Sequence, residues 1–273
     1  MARIVILEHA LQKAVQLPYM VYALAERWRV QGHEVLVHHG TDNAPAGDVA
    51  ILNVDLTVIP DAYRALLARY PHVVNGATLD ISKRRFSRDL VQRDSDWRGP
   101  VIVKTDANCG GRPEQLLRTA ARRAGLPCDI PIGPATDSYP IYDSSRAVPP
   151  DAWTTPGVVV EKFLPEQDDR GYYMRVWIFF GDREGSTRFR AEVPEIKSQH
   201  LKEREPIDVP EEIRAWRERL GFDFGKFDYV RHGERYVLLD VNRTPAYPPA
   251  LSEDKSAARR LNNLAAGIEA FLR

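Results

Sequence analysis

Residues 226–245 read KFDYVRHGERYVLLDVNRTP. Two apolar-patterned runs, Lys226–Val230 and Tyr236–Val241, flank the polar stretch Arg231–Arg235 with Gly233 inside it, which predicts a β-hairpin. Residues two apart on a strand share a face. Asp240 and Asn242 therefore point one way, while Leu239 and Val241 point the other way, into the core. Paired oxygen-bearing side chains suit a hard divalent cation. Asp228 joins them only in the right register. An even-length turn centred on 232–233 sets it opposite Val237, on the wrong face. A three- or five-residue turn, or a bulge, sets it opposite Leu238 and on the same face. Gly233 can take the left-handed conformation such a turn needs. An isolated D-x-N more often just ends a solvated strand, so its meaning depends on what accompanies it.

Two upstream segments accompany it. Residues 101–113, VIVKTDANCGGRP, are a short strand ending at Lys104, then a polar loop with Gly110-Gly111. Backbone N–H groups of such a loop can cradle phosphate oxygens, and Lys adds a mobile positive charge. Without a following Lys-Ser/Thr pair it is not a Walker loop. Residues 158–169, VVVEKFLPEQDD, are an apolar strand carrying Glu161 into a charged loop, Pro165–Arg170. Strand-edge backbone there can read an adenine edge, and a following acid can bind ribose. Each segment taken alone reads equally well as an ordinary turn or strand end.

Farther out, Leu79–Val91 reads as a basic helix, Glu114–Ala124 as an Arg-rich helix and Pro210–Leu220 as a helix opened by proline. Tyr172–Phe180 is an aromatic-rich strand, Arg188–Val193 pairs back on it, and 252–272 is a C-terminal helix. Residues 126–157 are loop-like, with seven prolines; so long a loop in a compact chain is usually functional. The N-terminus alternates strand and helix: 4–7, 19–31, 33–38, 49–54 and 60–70. That order predicts a small parallel α/β unit. It carries no G-x-G-x-x-G, so it is not a standard dinucleotide site.

Composition bounds the function classes. The 273 residues hold 38 Lys+Arg against 38 Asp+Glu, and zero net charge argues against a dedicated nucleic-acid binder. No stretch approaches eighteen apolar residues, so no membrane helix is expected. Two cysteines and no secretory signal fit a reduced, cytoplasmic setting. Of the 38 bases, 30 are Arg and 8 are Lys. Each Lys kept in such a background is a candidate for a job that a planar guanidinium cannot do.

In their order along residues 79–250, the basic segment, V-x-V-K with its glycine loop, E-K-F-L with an acid, an Arg on the next strand and D-Y-V…L-D-V-N-x-x-P resemble the ATP-grasp superfamily. The resemblance implies an α/β chain: a small N-terminal parallel α/β domain at 1–78, followed by a two-lobed α+β grasp domain. Lobe 1 with the glycine loop would span 79–164, and lobe 2 with the metal-binding hairpin 165–273. It implies ATP and Mg²⁺. Lys104 would contact the α- and β-phosphates, with Lys83 or a neighbouring Arg as a second contact. Asn108, Gly110 and Gly111 would close over the triphosphate. Glu161 and the backbone at Phe163 and Leu164 would hold adenine, and Glu166 or Asp168 the ribose. Arg175 would face the γ-phosphate or acyl phosphate, and Arg243 the substrate. Asp228, Asp240 and Asn242 would hold Mg²⁺.

Two positions depart from the pattern. Asp80 and Lys83 stand three apart where the superfamily has adjacent Asp-Lys, and N-x-x-P is followed by Ala246 and Tyr247-Pro248-Pro249 instead of Gly. The activity implied is ligation of a small-molecule carboxylic acid to an amine, amino acid or peptide-like, through an acyl phosphate. A small-molecule kinase acting on a hydroxyl, as in the inositol phosphate kinases, and a nucleotide-binding regulator without turnover are the competing readings. No nucleic acid and no membrane is expected as partner. Homo-oligomerisation is left open.

Overall fold

The computed structural model describes residues 1–15, 17–131, 133–136, 138–247 and 254–272. Strands β1 (Arg3–Glu8), β2 (Glu34–His39), β3 (Val49–Leu52) and β4 (His72–Val74) form a parallel sheet in the order β2-β1-β3-β4. Its central strands β1 and β3 are buried along Ile4–Leu7 and Val49–Leu52, as an apolar run covered on both faces requires. Helices α1 (Met20–Val30) and α2 (Asp61–Leu67) complete this α/β unit.

The predicted helix at 79–91 is reduced to one turn, α3 (Lys83–Phe86). Tertiary pairing takes the flanking backbone. Ile59 N donates to Leu79 O and Ile81 N to Thr57 O, so 79–81 run beside 57–59. Val91 N donates to Val160 O and Lys162 N to Asp89 O, so 89–91 are drawn alongside residues 160–162. Helical propensity is a weak prior and yields to such pairing.

Strand β5 (Val101–Thr105) leads to α4 (Arg112–Ala124), then to the two-residue strand β6 (Ile141–Tyr142) and to β7 (Val158–Lys162); these three strands form an antiparallel sheet in the order β6-β5-β7. The segment expected to be a charged loop forms β8 (Glu166–Asp168), which turns tightly onto β9 (Gly171–Phe180). Next come β10 (Arg183–Ala191), β11 (Glu203–Pro206), α5 (Glu211–Leu220), β12 (Phe224–His232) and β13 (Arg235–Asn242). The second antiparallel sheet runs β11-β10-β9-β12-β13, with β8 on β9. Helix α6 (Lys255–Ala265) continues as a 3-10 segment to Phe271; Ser252 and Glu253 of the expected helix lie outside the described residues.

The cores interlock these parts. Ile4, Trp28, Phe180, Phe224, Leu261 and Leu264 belong to one cluster, and Trp28 Nε1 donates to Ala265 O at 2.8 Å. Leu117 and Ala121 of α4 pack on the other face of the parallel sheet, against Leu7 and Leu52. Trp177, Phe179, Phe227 and Trp216 fill the space between the second antiparallel sheet and α5.

Candidate active site

The β12–β13 turn is the two residues Gly233-Glu234, since His232 pairs with Arg235. A bulge then corrects the parity. Tyr229 faces Leu238, but Asp228 faces Asp240, leaving Leu239 as the extra residue. Two expectations change. Asp228 reaches the metal face through a bulge opposite Asp240 itself, not opposite Leu238. Leu238, not Leu239, shares the buried face of Val241; Leu239 turns to the cleft, because an added residue reverses alternation. Lys226 pairs with Asn242. One face of the hairpin thus carries Lys226, Asp228, Asp240 and Asn242.

These groups are mutually compensated. Lys226 Nζ lies 2.8 Å from Asp228 Oδ2, and Lys83 Nζ lies 3.5 Å from Asp240 Oδ1 and donates to Ala107 O at 2.9 Å. Burial alone would lower the Lys226 ammonium, but the adjoining Asp228 carboxylate outweighs it and pushes the value up to about 12. Asn242 Oδ1 accepts from Thr244 N at 2.8 Å and lies 3.5 Å from Asn108 Nδ2. Asp228 Oδ1 and Asn108 Oδ1 are buried without a partner. No cluster of three His, Cys, Asp or Glu suited to a metal exists among the described residues. The hairpin instead offers two carboxylates, one of them with an orphaned oxygen, Asp228 Oδ1, and the amide oxygen of Asn242. That set fits Mg²⁺, which is typically held by one or two carboxylates with substrate phosphates supplying the rest.

Above this face lies a cleft of about 210 Å³ between the two antiparallel sheets. Lys83, Lys104, Phe163 and Leu164 line one side, and Met174, Asp228, Leu239 and Asp240 the other. Lys104 is buried and its Nζ sits 2.7 Å from Glu161 Oε2. Glu161 is held in that ion pair and is not among the residues that line the cleft.

Other expected residues stand elsewhere. Glu166 borders the cleft, but its carboxylate accepts from Arg175 Nε and Nη2 at 2.8 and 2.9 Å, Arg188 Nε at 2.9 Å and Arg231 N at 2.7 Å. Burial works to raise this carboxyl, and the arginine bonds hold it below the usual range. Arg175 is committed to Glu166 and does not line the cleft. Asp168 accepts from the Tyr173 hydroxyl and Arg170 N and also stands outside the lining. Arg243 is 1% exposed and donates to the carbonyls of Thr78 and Leu56, so it is no substrate contact in this structure. Burial pushes its guanidinium down to about 10.

The glycine loop is a 3-10 turn, Asn108–Gly111, with Gly110 and Gly111 at φ 69° and 74°. A Cβ at Gly110 would strike Thr136 O, and one at Gly111 would lie 2.5 Å from Pro134 O. These glycines admit the proline-rich segment at backbone distance and do not line the cleft between the two antiparallel sheets. Asn108 reaches the site through Asn242.

Sequence reading gave no site role to Lys226 or Tyr139, and placed Leu239 in the core where the structure turns it to the cleft. Lys226 was within reach, since it stands two before Asp228 on one strand. Tyr139, in the proline-rich segment, lines the cleft and carried no such signal. Pro248 and Pro249, marked as a departure, lie outside the described residues.

No family model and no curated protein matches the chain. Solved structures do match it over its full length. The RimK domain protein ATP-grasp from Sphaerobacter thermophilus DSM 20745 is 16% identical with a TM-score of 0.57, covering 100% of both chains. The ATP-grasp ligase PsnB, complexed with a phosphomimetic variant of minimal precursor, Mg and ADP, is 13% identical with a TM-score of 0.58 over 98% of each chain. The D-alanine–D-alanine ligase from Bacillus anthracis is 14% identical with a TM-score of 0.50, covering 100% of this chain and 98% of its own. The fold shared with these proteins is the ATP-grasp fold.

Proposed function

We propose that this ATP-grasp chain is an ATP- and Mg²⁺-dependent ligase that activates a carboxylate as an acyl phosphate and joins it to an amine. The observation that carries the reading is the hairpin face where Asp228 opposes Asp240 beside Asn242, with Lys83 and Lys104 lining the same cleft. That PsnB is held with Mg and ADP supports the pairing of nucleotide and metal on this fold. In this reading residues 1–78 are the N-terminal domain, and 79–164 and 165–273 are the two lobes that enclose the nucleotide.

Lys104 and Lys83 bind and orient the phosphates as point charges on flexible stems. The backbone at Phe163 and Leu164 reads the adenine edge, and Leu239 and Met174 cover the ring from the opposite sheet. Mg²⁺ held by Asp228, Asp240 and Asn242 would neutralise negative charge on the phosphates. Lys226, paired with Asp228, adds a positive charge beside the metal face. The substrate carboxylate attacks the γ-phosphorus, releasing ADP. The amine nitrogen then attacks the acyl carbon, phosphate departs with the C–O electron pair, and the amine sheds a proton. Buried walls shield the acyl phosphate from water.

The test is product analysis. ADP release that requires both an acid and an amine, with a hydroxamate formed when hydroxylamine replaces the amine, supports ligation. Phosphate retained on a hydroxyl product would establish a kinase instead.

A further inference from the structure

A second cleft, of about 570 Å³, lies between the loop after β3, the start of α4 and the proline-rich segment. Its walls are apolar, with Leu56, Ile59, Ile130 and Pro134 among them, and Val58 at its edge is 57% exposed. The volume falls in the range of small-molecule sites. Its ionisable residues are all acidic: Asp106, Glu114 and Asp129, with no Lys or Arg among the described residues that line it.

The three acids differ in how they are paired. Asp106 is bonded by Arg84. Glu114 Oε1 accepts from Thr57 N at 2.7 Å, while its Oε2 is buried and has no donor. Asp129 is exposed, and no ion pair is found for it among the described residues. Arg243 acts on Glu114 electrostatically from behind the wall, but no Lys or Arg lines the cleft among the described residues, and an apolar-walled cleft lined only by acids selects a positive head group on an apolar body. This cleft adjoins the nucleotide cleft at Lys83, whose backbone N also donates to Asp106 O of the second cleft's wall at 3.0 Å. Ser82 and Ala107 line the former, Lys83 lines the latter, and Lys83 Nζ donates to Ala107 O.

We infer that this second cleft binds a primary ammonium on an apolar chain, with Glu114 and Asp129 supplying its charge recognition. The inference rests on the ligase reading for the role of that occupant, which is the amine nucleophile. The bound ammonium loses one proton to solvent at the cleft mouth before its nitrogen forms the C–N bond. Charge then selects amines over acids at this cleft, and the apolar walls favour an alkyl or aryl body over a polar amino acid.

Calorimetry on the full chain without nucleotide tests the site, with hexylamine, hexanoate and 1-hexanol as probes. Hexylammonium should bind at least tenfold tighter than either other probe. Glu114→Gln keeps the acceptor for Thr57 N and should weaken hexylammonium several-fold, leaving 1-hexanol and the melting temperature unchanged. Asp129→Asn, on the exposed rim, should act in the same direction. Hexanoate binding as well as hexylammonium, or both variants binding it undiminished, would overturn the inference. ADP release distinguishes the two readings. Charge-selective binding without acid-dependent ADP release keeps the site and removes the ligase. Hydroxamate formation without hexylammonium binding keeps the ligase and removes the site.

Discussion

Lys83 Nζ stands 3.5 Å from Asp240 Oδ1 across 157 residues of chain, and the lysine is 2% exposed. A cation from α3 therefore already occupies the β13 carboxylate proposed to hold a metal. Lys226 does the same for Asp228. Each carboxylate has its own counter-charge; under the proposed function a metal would take over the carboxylates while the nucleotide phosphates take over the ammonium groups.

Asp240→Asn keeps the size of the side chain and removes one charge. Mg-ATP turnover should fall at least a hundredfold, about 3 kcal/mol in transition-state stabilisation. The melting temperature should change little, because Lys83 still donates to Ala107 O. Turnover near wild type in a coupled ADP assay would remove Asp240 from the metal set.

Lys104→Ala should weaken ATP binding measured by calorimetry. It also strands Glu161, a buried carboxylate whose only ion partner is Lys104 among the described residues. Breaking a buried pair on one side costs about 3–5 kcal/mol. The double variant Lys104→Met with Glu161→Gln should therefore recover stability but not ATP affinity. Unchanged ATP affinity in Lys104→Ala contradicts the phosphate role.

Arg243→Met removes two donors from the buried carbonyls of Thr78 and Leu56. About 1–3 kcal/mol is expected for each buried group left unsatisfied, so the main effect should be a lower melting temperature. A drop in kcat with an unchanged melting temperature would return Arg243 to the substrate.

Glu166 provides a pH signature. Its folded carboxyl titrates below the unfolded one, near pH 4.3, so its contribution is present above that pH and is lost as pH falls through the folded value. Wild-type melting temperature should decline steeply on acidification below about pH 4. In Glu166→Gln part of that decline should vanish, because the variant lacks this titration. Parallel curves for the two proteins would show that the Arg175 and Arg188 bonds contribute no linkage.

The D-x-N pair, the lysine near the end of β5, the apolar parallel strands and the aromatic β9 were legible because each rests on local spacing: period two on a strand, or a run covered on both faces. Roles that depend on what a charge finds across the fold were not. Nothing in the order Arg175, Glu166, Arg188 says that three side chains from adjacent strands will close on one another, with both arginines spent on the carboxylate. Nor does Arg243, one residue from Asn242, reveal that it turns inward to the carbonyls of Thr78 and Leu56. The sequence by itself determined the shared face of Asp240 and Asn242, the superfamily pattern and the residue types able to hold a metal and phosphates. Only the tertiary structure decided the bulge that brings Asp228 opposite Asp240, the short α3 and the partner of each buried charge. Register and burial are settled by long-range backbone pairing and desolvation, and neither acts until distant segments meet.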